Sequence, residues 1–143
     1  MQRNVRDANL ARSPSRLVVA VTGASGSALA LELLRWLREA TDWELHVVVS
    51  AAALRTARLE LGVGREAFAA LADAMYANKD IGASIASGSF ATLGMVVIPC
   101  SMNTLAAIAH GLGDTLIARA ADVTLKERRR LVLVPRETPL NLI

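Results

Sequence analysis

The sequence predicts a doubly wound parallel α/β sheet in three layers, with helices on both faces. Three observations predict it. Continuous apolar runs of strand length, such as Leu17–Thr22, recur along the 143 residues, as strands buried on both faces require. Between them lie segments whose apolar residues repeat at helical spacing. Small or capping residues punctuate each change, so strand and helix alternate, the order that yields a parallel sheet through right-handed crossovers.

Leu17–Thr22 (LVVAVT) is the first strand, broken by Gly23-Ala-Ser-Gly26. Residues 27–40 place Leu29, Leu33, Leu34 and Leu37 on one face of a helix. Glu44–Val49 is the second strand, and Ser50 is a cap for a helix over Ala51–Leu61. Arg65–Met75 has helical spacing, and Asn78–Phe90, rich in Gly, Ser and Ala, reads as a long loop or lid. Met95–Ile98 resumes the sheet and Pro99-Cys-Ser101 ends it. Asn103–His110 and Thr115–Glu127 are helices. Arg130–Val134 is a fourth strand, stopped by Pro135, and a further helix begins after Pro139.

Composition narrows the class. Apolar residues make up 53% of the chain, with 26 Ala and 21 Leu but only five aromatics. One domain of this length can bury a core. No apolar stretch is long enough to span a bilayer. The net charge of +3 is too small for a nucleic-acid binder. Cys100 is the single cysteine, which excludes an internal disulfide framework and suits a reducing, cytoplasmic setting. Residues 1–15 carry arginines without an apolar stretch and read as a disordered lead-in to a domain over 16–143.

Ligands of such sheets bind beyond the carboxyl ends of the strands, so four loops carry the chemistry: Gly23–Gly26, Ser50, Cys100–Thr104 and Pro135–Thr138. The turn after the first strand offers backbone amides at a helix N-terminus, an anion site. A dinucleotide is disfavoured, because Ser25 and Ala28 break the G-x-G-x-x-G pattern and Ser50 replaces the acid that grips a ribose. A mononucleotide phosphate or another part of a flavin fits better. Ser101, Asn103 and Thr104 repeat the donor logic at the third predicted strand. Cys100 reads as a small buried residue, and His46 and His110 as structural. No metal-ligand spacing appears. Lys126–Arg130 reads as a solvated helix face. Arg136 and Glu137 follow a buried strand, where a cation holds phosphate and a carboxyl manages a proton.

Four stretches together resemble the UbiX-type flavin prenyltransferases: VTGASGS (21–27), VVSAAA (48–53), ASIASGSFATLGMVVIPCSMNTLA (83–106) and LIARAADVTLKERRRLVLVPRETPLNL (116–142). The resemblance implies a flavodoxin-like fold and FMN bound between subunits of a large homo-oligomer, typically a dodecamer. It implies a metal-independent enzyme that joins a dimethylallyl unit from dimethylallyl phosphate to N5 and C6 of reduced FMN. The product serves UbiD-type decarboxylases in ubiquinone or aromatic-acid metabolism. By position, Gly23, Ala24, Ser25, Ser50, Ser101, Met102, Asn103, Thr104 and Arg136 form the FMN site. Arg119 and Lys126 hold the prenyl phosphate, Glu137 protonates it as it leaves, and Glu60 joins Ser25 in a proton relay. Segment 83–91 supplies a close-fitting wall for the allyl group. Relatives of this type continue past residue 143, so the domain is expected to lack its C-terminal portion. A catalytically incomplete FMN-binding subunit is the alternative, and a flavin-dependent cysteine decarboxylase a distant third.

Overall fold

The computed structural model describes residues 14–143, so most of the lead-in over 1–15 lies outside the described residues. Five parallel strands form one sheet: β1 (Arg16–Val21), β2 (Glu44–Val49), β3 (Ala74–Ala77), β4 (Gly94–Cys100) and β5 (Arg130–Pro135), in the order β3-β2-β1-β4-β5. Leaving out the short β3, the order is that of the flavodoxin-like sheet. The helices are α1 (Ser27–Ala40), α2 (Ala51–Leu61), α3 (Arg65–Ala69), α4 (Met102–Ala109) and α5 (Leu116–Lys126).

Alternate residues of β1 face opposite cores, as strand geometry requires. Leu17, Val19 and Val21 pack with α1, α2 and Phe68 of α3, whereas Val18 and Ala20 pack with α5, Ile85 and Met95. β2 splits likewise, Leu45, Val47 and Val49 joining the first core and Val48 the second. On α1 the buried positions are Ser27, Ala30, Leu31, Leu34 and Leu37. Leu34 and Leu37, two of the four leucines placed on the inner face by spacing, are fully covered, each contributing roughly 1.5–3 kcal/mol of burial. Leu33 is only partly buried, and Leu29 is turned outward. The stripe starts at Ser27 and Ala30 because small residues let the first turn of α1 sit close to the sheet.

Two expectations for the middle of the chain are corrected. The helical spacing of Arg65–Met75 holds only through Ala69, and Ala74–Ala77 is a strand pairing with β2 from His46↔Ala74 to Val49↔Ala77. Its four residues are too few for a period-2 pattern to show. With β3 at the sheet edge beyond β2, and β4 on the far side of β1, segment 78–93 must cross the sheet. It is therefore a crossover and not a lid. A 3₁₀ turn (Ser84–Ala86) packs on α5, and the Tyr76 hydroxyl meets Ser84 Oγ at 3.0 Å. Arg129 donates to the carbonyls of Gly88 (2.7 Å) and Phe90 (3.0 Å), and the Arg16 guanidinium lies 4.5 Å from the Phe90 ring centre. The third correction concerns residues 139–143, which form no helix.

On the α1 side of β4 and β5, Leu17, Leu33, Leu37, Trp43, Leu93 and Val132 line an apolar cavity of about 520 Å³. No helix of the described residues is long and apolar enough to cross a membrane.

Candidate functional site at the sheet's switch point

The chain leaves β1 toward β2 on one side and returns to β4 on the other, so a crevice opens where their carboxyl ends diverge. Backbone rungs stitch its floor. Ser50 N–H donates to Val21 O (3.1 Å), Thr22 N–H to Pro99 O (3.3 Å) and Arg136 N–H to Cys100 O (3.2 Å). The buried Thr22 hydroxyl adds a double tie: it donates to Pro99 O at 2.6 Å and accepts from Ser101 N–H at 2.8 Å.

Above this floor lies a cavity of about 610 Å³, within the range of small-molecule sites. It gathers Gly23, Ala24, Ser25, Ser50, Ser101, Met102, Asn103, Thr104, Arg136 and Glu137, residues separated by up to 114 positions in sequence. Three helices begin at its rim: α2 and α4 because helices that follow parallel strands start at the strands' carboxyl ends, and α5 because it runs back from this end to the start of β5. Each is capped by its own hydroxyl: Ser50 Oγ accepts from Ala53 N–H (3.0 Å), Ser101 Oγ from Thr104 N–H (3.2 Å) and Thr115 Oγ1 from Ala118 N–H (3.2 Å). The positive ends of their peptide dipoles face the rim; among the described lining residues Arg136 is the one cation, and Asp114 and Glu137 are the carboxylates.

Gly23 is required by close packing. A Cβ there would lie 2.5 Å from Ala52 Cβ, so the turn after β1 rests directly on the first turn of α2. Gly26, the residue before α1, has φ of 120°, a conformation that disfavours any side chain.

The anion on the N-terminus of α1 is the chain's own. Glu60, from the last turn of α2, accepts the Ser25 hydroxyl, Gly26 N–H (3.2 Å) and Ser27 N–H (3.3 Å). The Ser25 hydroxyl above all, then the Gly26 amide, with smaller help from Ser27 N–H and Arg136, holds the Glu60 carboxyl below the usual carboxylate range. The turn expected to cradle a phosphate thus binds an internal carboxylate, and the hydroxyl-capped helix starts are the amides left for a ligand.

Three candidates stand apart from the cavity lining. Glu60 is linked to it through Ser25. Arg119 lies in the first turns of α5, but its Nε donates to Gly113 O at 2.7 Å. Lys126 lies away from the cleft of this chain. α5 runs from the cleft at Thr115 back toward the start of β5, so Lys126, in its last turn, is at the opposite end of the sheet, exposed and 3.9 Å from Glu127. Segment 83–91 lies on the face of the sheet that carries α5 and reaches the same far end, where a Cβ on Gly88 would meet Glu127. Neither lines the cleft of its own copy.

Asn78, Asp114 and Thr115 line the cleft and were not singled out from sequence. The Asn78 signal was masked by the unrecognised β3 before it. Among the described residues, no group of three or more His, Cys, Asp or Glu is placed to hold a metal ion.

The flavoprotein family model matches residues 6–139. The chain belongs to the flavoprotein family. Within it, the flavin prenyltransferase LpdB of Lactiplantibacillus plantarum is 55% identical over 128 residues, covering 90% of this chain and 68% of the relative. A dodecameric FMN-dependent UbiX-like decarboxylase from Escherichia coli O157:H7 superposes with a TM-score of 0.86 at 52% identity, covering 89% of this chain and 69% of that one. AnUbiX (PadA1), solved with FMN and dimethylallyl pyrophosphate, gives 0.87 at 49% identity, covering 91% and 69%. The chain is a flavoprotein of the flavin prenyltransferase group and spans about two thirds of the length of the relatives it matches.

Proposed function

We propose that this chain is a subunit of a flavin prenyltransferase, joining a dimethylallyl unit from dimethylallyl phosphate to N5 and C6 of reduced FMN. The observation that carries the proposal is the single cleft that unites Gly23–Ser25, Ser50, Ser101–Thr104 and Arg136–Glu137. All four stretches lie in segments that resemble the family. The residues present suit the flavin: three hydroxyl-capped helix starts and one guanidinium for its phosphate and polar edges, and Ala52, Met102, Leu112 and Ile117 as apolar walls for its ring.

Reduced flavin supplies the nucleophilic nitrogen and carbon. The chain's residues do the rest. Cleaving the allylic C–O bond puts charge on the departing phosphate, and Arg119 and Lys126 neutralise it by electrostatic preorganisation, with no metal required. Glu137 delivers the proton that the phosphate takes up. Ser25 accepts the proton released at N5 and relays it to Glu60, whose carboxylate is kept ionised by Ser25, Gly26 and Ser27.

Lys126 and segment 83–91 enter this scheme from a neighbouring copy. Lys126 and the far part of segment 83–91 share one end of the molecule, opposite the cleft, so a homo-oligomer can set that end against another copy's cavity. Exposed Leu29, Trp36, Leu59 and Leu125 support burial between copies. The assembly is proposed to be a dodecamer in the cytoplasm, its product passed to UbiD-type decarboxylases of ubiquinone or aromatic-acid metabolism.

Anaerobic incubation with FMN, reductant and dimethylallyl phosphate tests the reading. Mass spectrometry is expected to show FMN carrying one C5 prenyl unit. Tight FMN binding without that mass would leave the alternative of a catalytically incomplete flavin-binding subunit. A stable FMN-loaded monomer on size exclusion would overturn the shared site. Mixing inactive Lys126→Ala and Ser25→Ala proteins is expected to restore part of the activity, because some clefts then combine two intact contributions.

A further inference from the structure

Asn78 stands where β3 leaves the sheet. Its backbone carbonyl accepts Leu116 N–H at 2.8 Å and its side-chain Oδ1 accepts Ile117 N–H at 2.9 Å. These are two of the first amides of α5, which have no partner within the helix. The second bond fixes the carboxamide, since an N–H must meet the oxygen and not the amide nitrogen. The NH₂ group has no partner among the described residues. It is not sealed in the core either: Asn78 is half-buried and lines both the cleft and the adjoining cavity of about 480 Å³.

We propose that Asn78 is a ligand-binding residue of the cleft, its carboxamide NH₂ donating to an oxygen of the bound flavin mononucleotide. The inference rests on the flavin reading above. Two bonds to α5 hold the donor in place before the ligand arrives, so little side-chain freedom remains to be lost on binding. At this end of the cleft the other donors, the hydroxyls of Ser50 and Thr115, are likewise uncharged, and the charged group is Asp114. A neutral, pre-aimed NH₂ suits a flavin oxygen here better than a second cation drawn to Asp114.

Asn78→Asp separates the two jobs of this side chain. It keeps an acceptor for Ile117 N–H and adds a negative charge at the start of α5, which a helix tolerates, but it removes the NH₂. Binding of FMN and of riboflavin is followed by quenching of flavin fluorescence, with Tm measured on the same samples. Asn78→Asp is expected to weaken FMN about tenfold or more with Tm nearly unchanged, about the worth of one good hydrogen bond to a charged group. Asn78→Ala is expected to lower both affinity and Tm. A loss confined to FMN that also appears in Asn78→Ser, which adds no charge to repel the phosphate, puts the accepting oxygen on the phosphate, and an equal loss for riboflavin puts it on the ring or ribityl chain. Either outcome supports the assignment. If Asn78→Asp lowers Tm, Asn78→Ser decides, because a hydroxyl still accepts from Ile117 but carries no NH₂. Wild-type FMN affinity in a variant that lacks the NH₂ but folds normally would overturn the assignment and leave Asn78 a helix cap. Absence of FMN binding by the parent chain would instead overturn the flavin reading, and this one with it.

Discussion

Ser25 donates its hydroxyl hydrogen to the carboxylate of Glu60, 35 residues further along the chain. The pair joins the turn after β1 to the last turn of α2. It converts the N-terminus of α1 from an open anion site into a fixed acceptor beside the cleft.

Replacing that acceptor separates proton handling from binding. Glu60→Gln keeps the size and much of the hydrogen bonding but is no base. Prenyl transfer is expected to fall roughly 10²-fold or more, with FMN affinity little changed, as read by single-turnover kinetics and fluorescence titration. A parallel loss of affinity would mean that Glu60 only shapes the turn.

The same carboxyl gives a pH signature. Its folded-state pKa lies below the ordinary carboxylate value, chiefly through the Ser25 hydroxyl. Its stabilising contribution is therefore complete above that ordinary value and is lost as pH falls through the folded one. Between about pH 5 and pH 3, Tm is expected to drop less steeply in Glu60→Gln than in the parent. Asp73 and Glu66, also held low, keep part of the slope in both proteins. Superimposable Tm profiles would rule the contribution out.

Thr22 fastens the two walls of the crevice. Thr22→Val conserves shape but leaves Ser101 N–H without its partner, and Pro99 O with only the backbone N–H of residue 22, at a site only 3% exposed. The expected cost is about 1–3 kcal/mol in chemical denaturation, with weakened FMN binding as the β1 and β4 ends loosen. Thr22→Ser, which keeps the hydroxyl, is expected to recover most of both.

Gly23 and Ala52 form a steric couple. Gly23→Ala drives two Cβ atoms to 2.5 Å, an overpacking expected to cost about 1–3 kcal/mol and to displace the Gly23–Ser25 turn. Gly23→Ala with Ala52→Gly removes the 2.5 Å contact and leaves one of 3.2 Å to the backbone of residue 52. Recovery of stability and FMN binding in the double variant, measured as a double-mutant cycle, checks the geometry.

Cys100, fully buried at the end of β4, has its thiol pushed up to about 11 by burial. Folded protein at about pH 8 is expected to resist iodoacetamide, because the thiolate is the reactive form, and to react only as fast as it unfolds. Rapid labelling without loss of structure would contradict this.

Strands β1, β2, β4 and β5 were legible because each carries a run of apolar, mostly β-branched or leucine residues of strand length. The helix cap Ser50 was legible because capping is a local bond between a side chain and an amide three residues on, whereas the caps Ser101 and Thr115 emerge only from the structure. The strand β3 was not: its four residues pair only because β2 offers an open edge. Missing it turned the crossover over residues 78–93 into an apparent lid and hid Asn78.

Residue patterns alone carry the doubly wound class and point to four loops whose residues the structure gathers around one cleft. These follow from periodicity, from local turn and cap chemistry, and from motif stretches that resemble a family. Three features come from packing alone: Glu60 takes amides at the start of α1, Lys126 sits at the far end of α5, and Asn78 ties β3 to α5. Each depends on the direction in which a helix runs or on a contact between segments distant in sequence. Such contacts are set by how the layers pack, which no local pattern encodes.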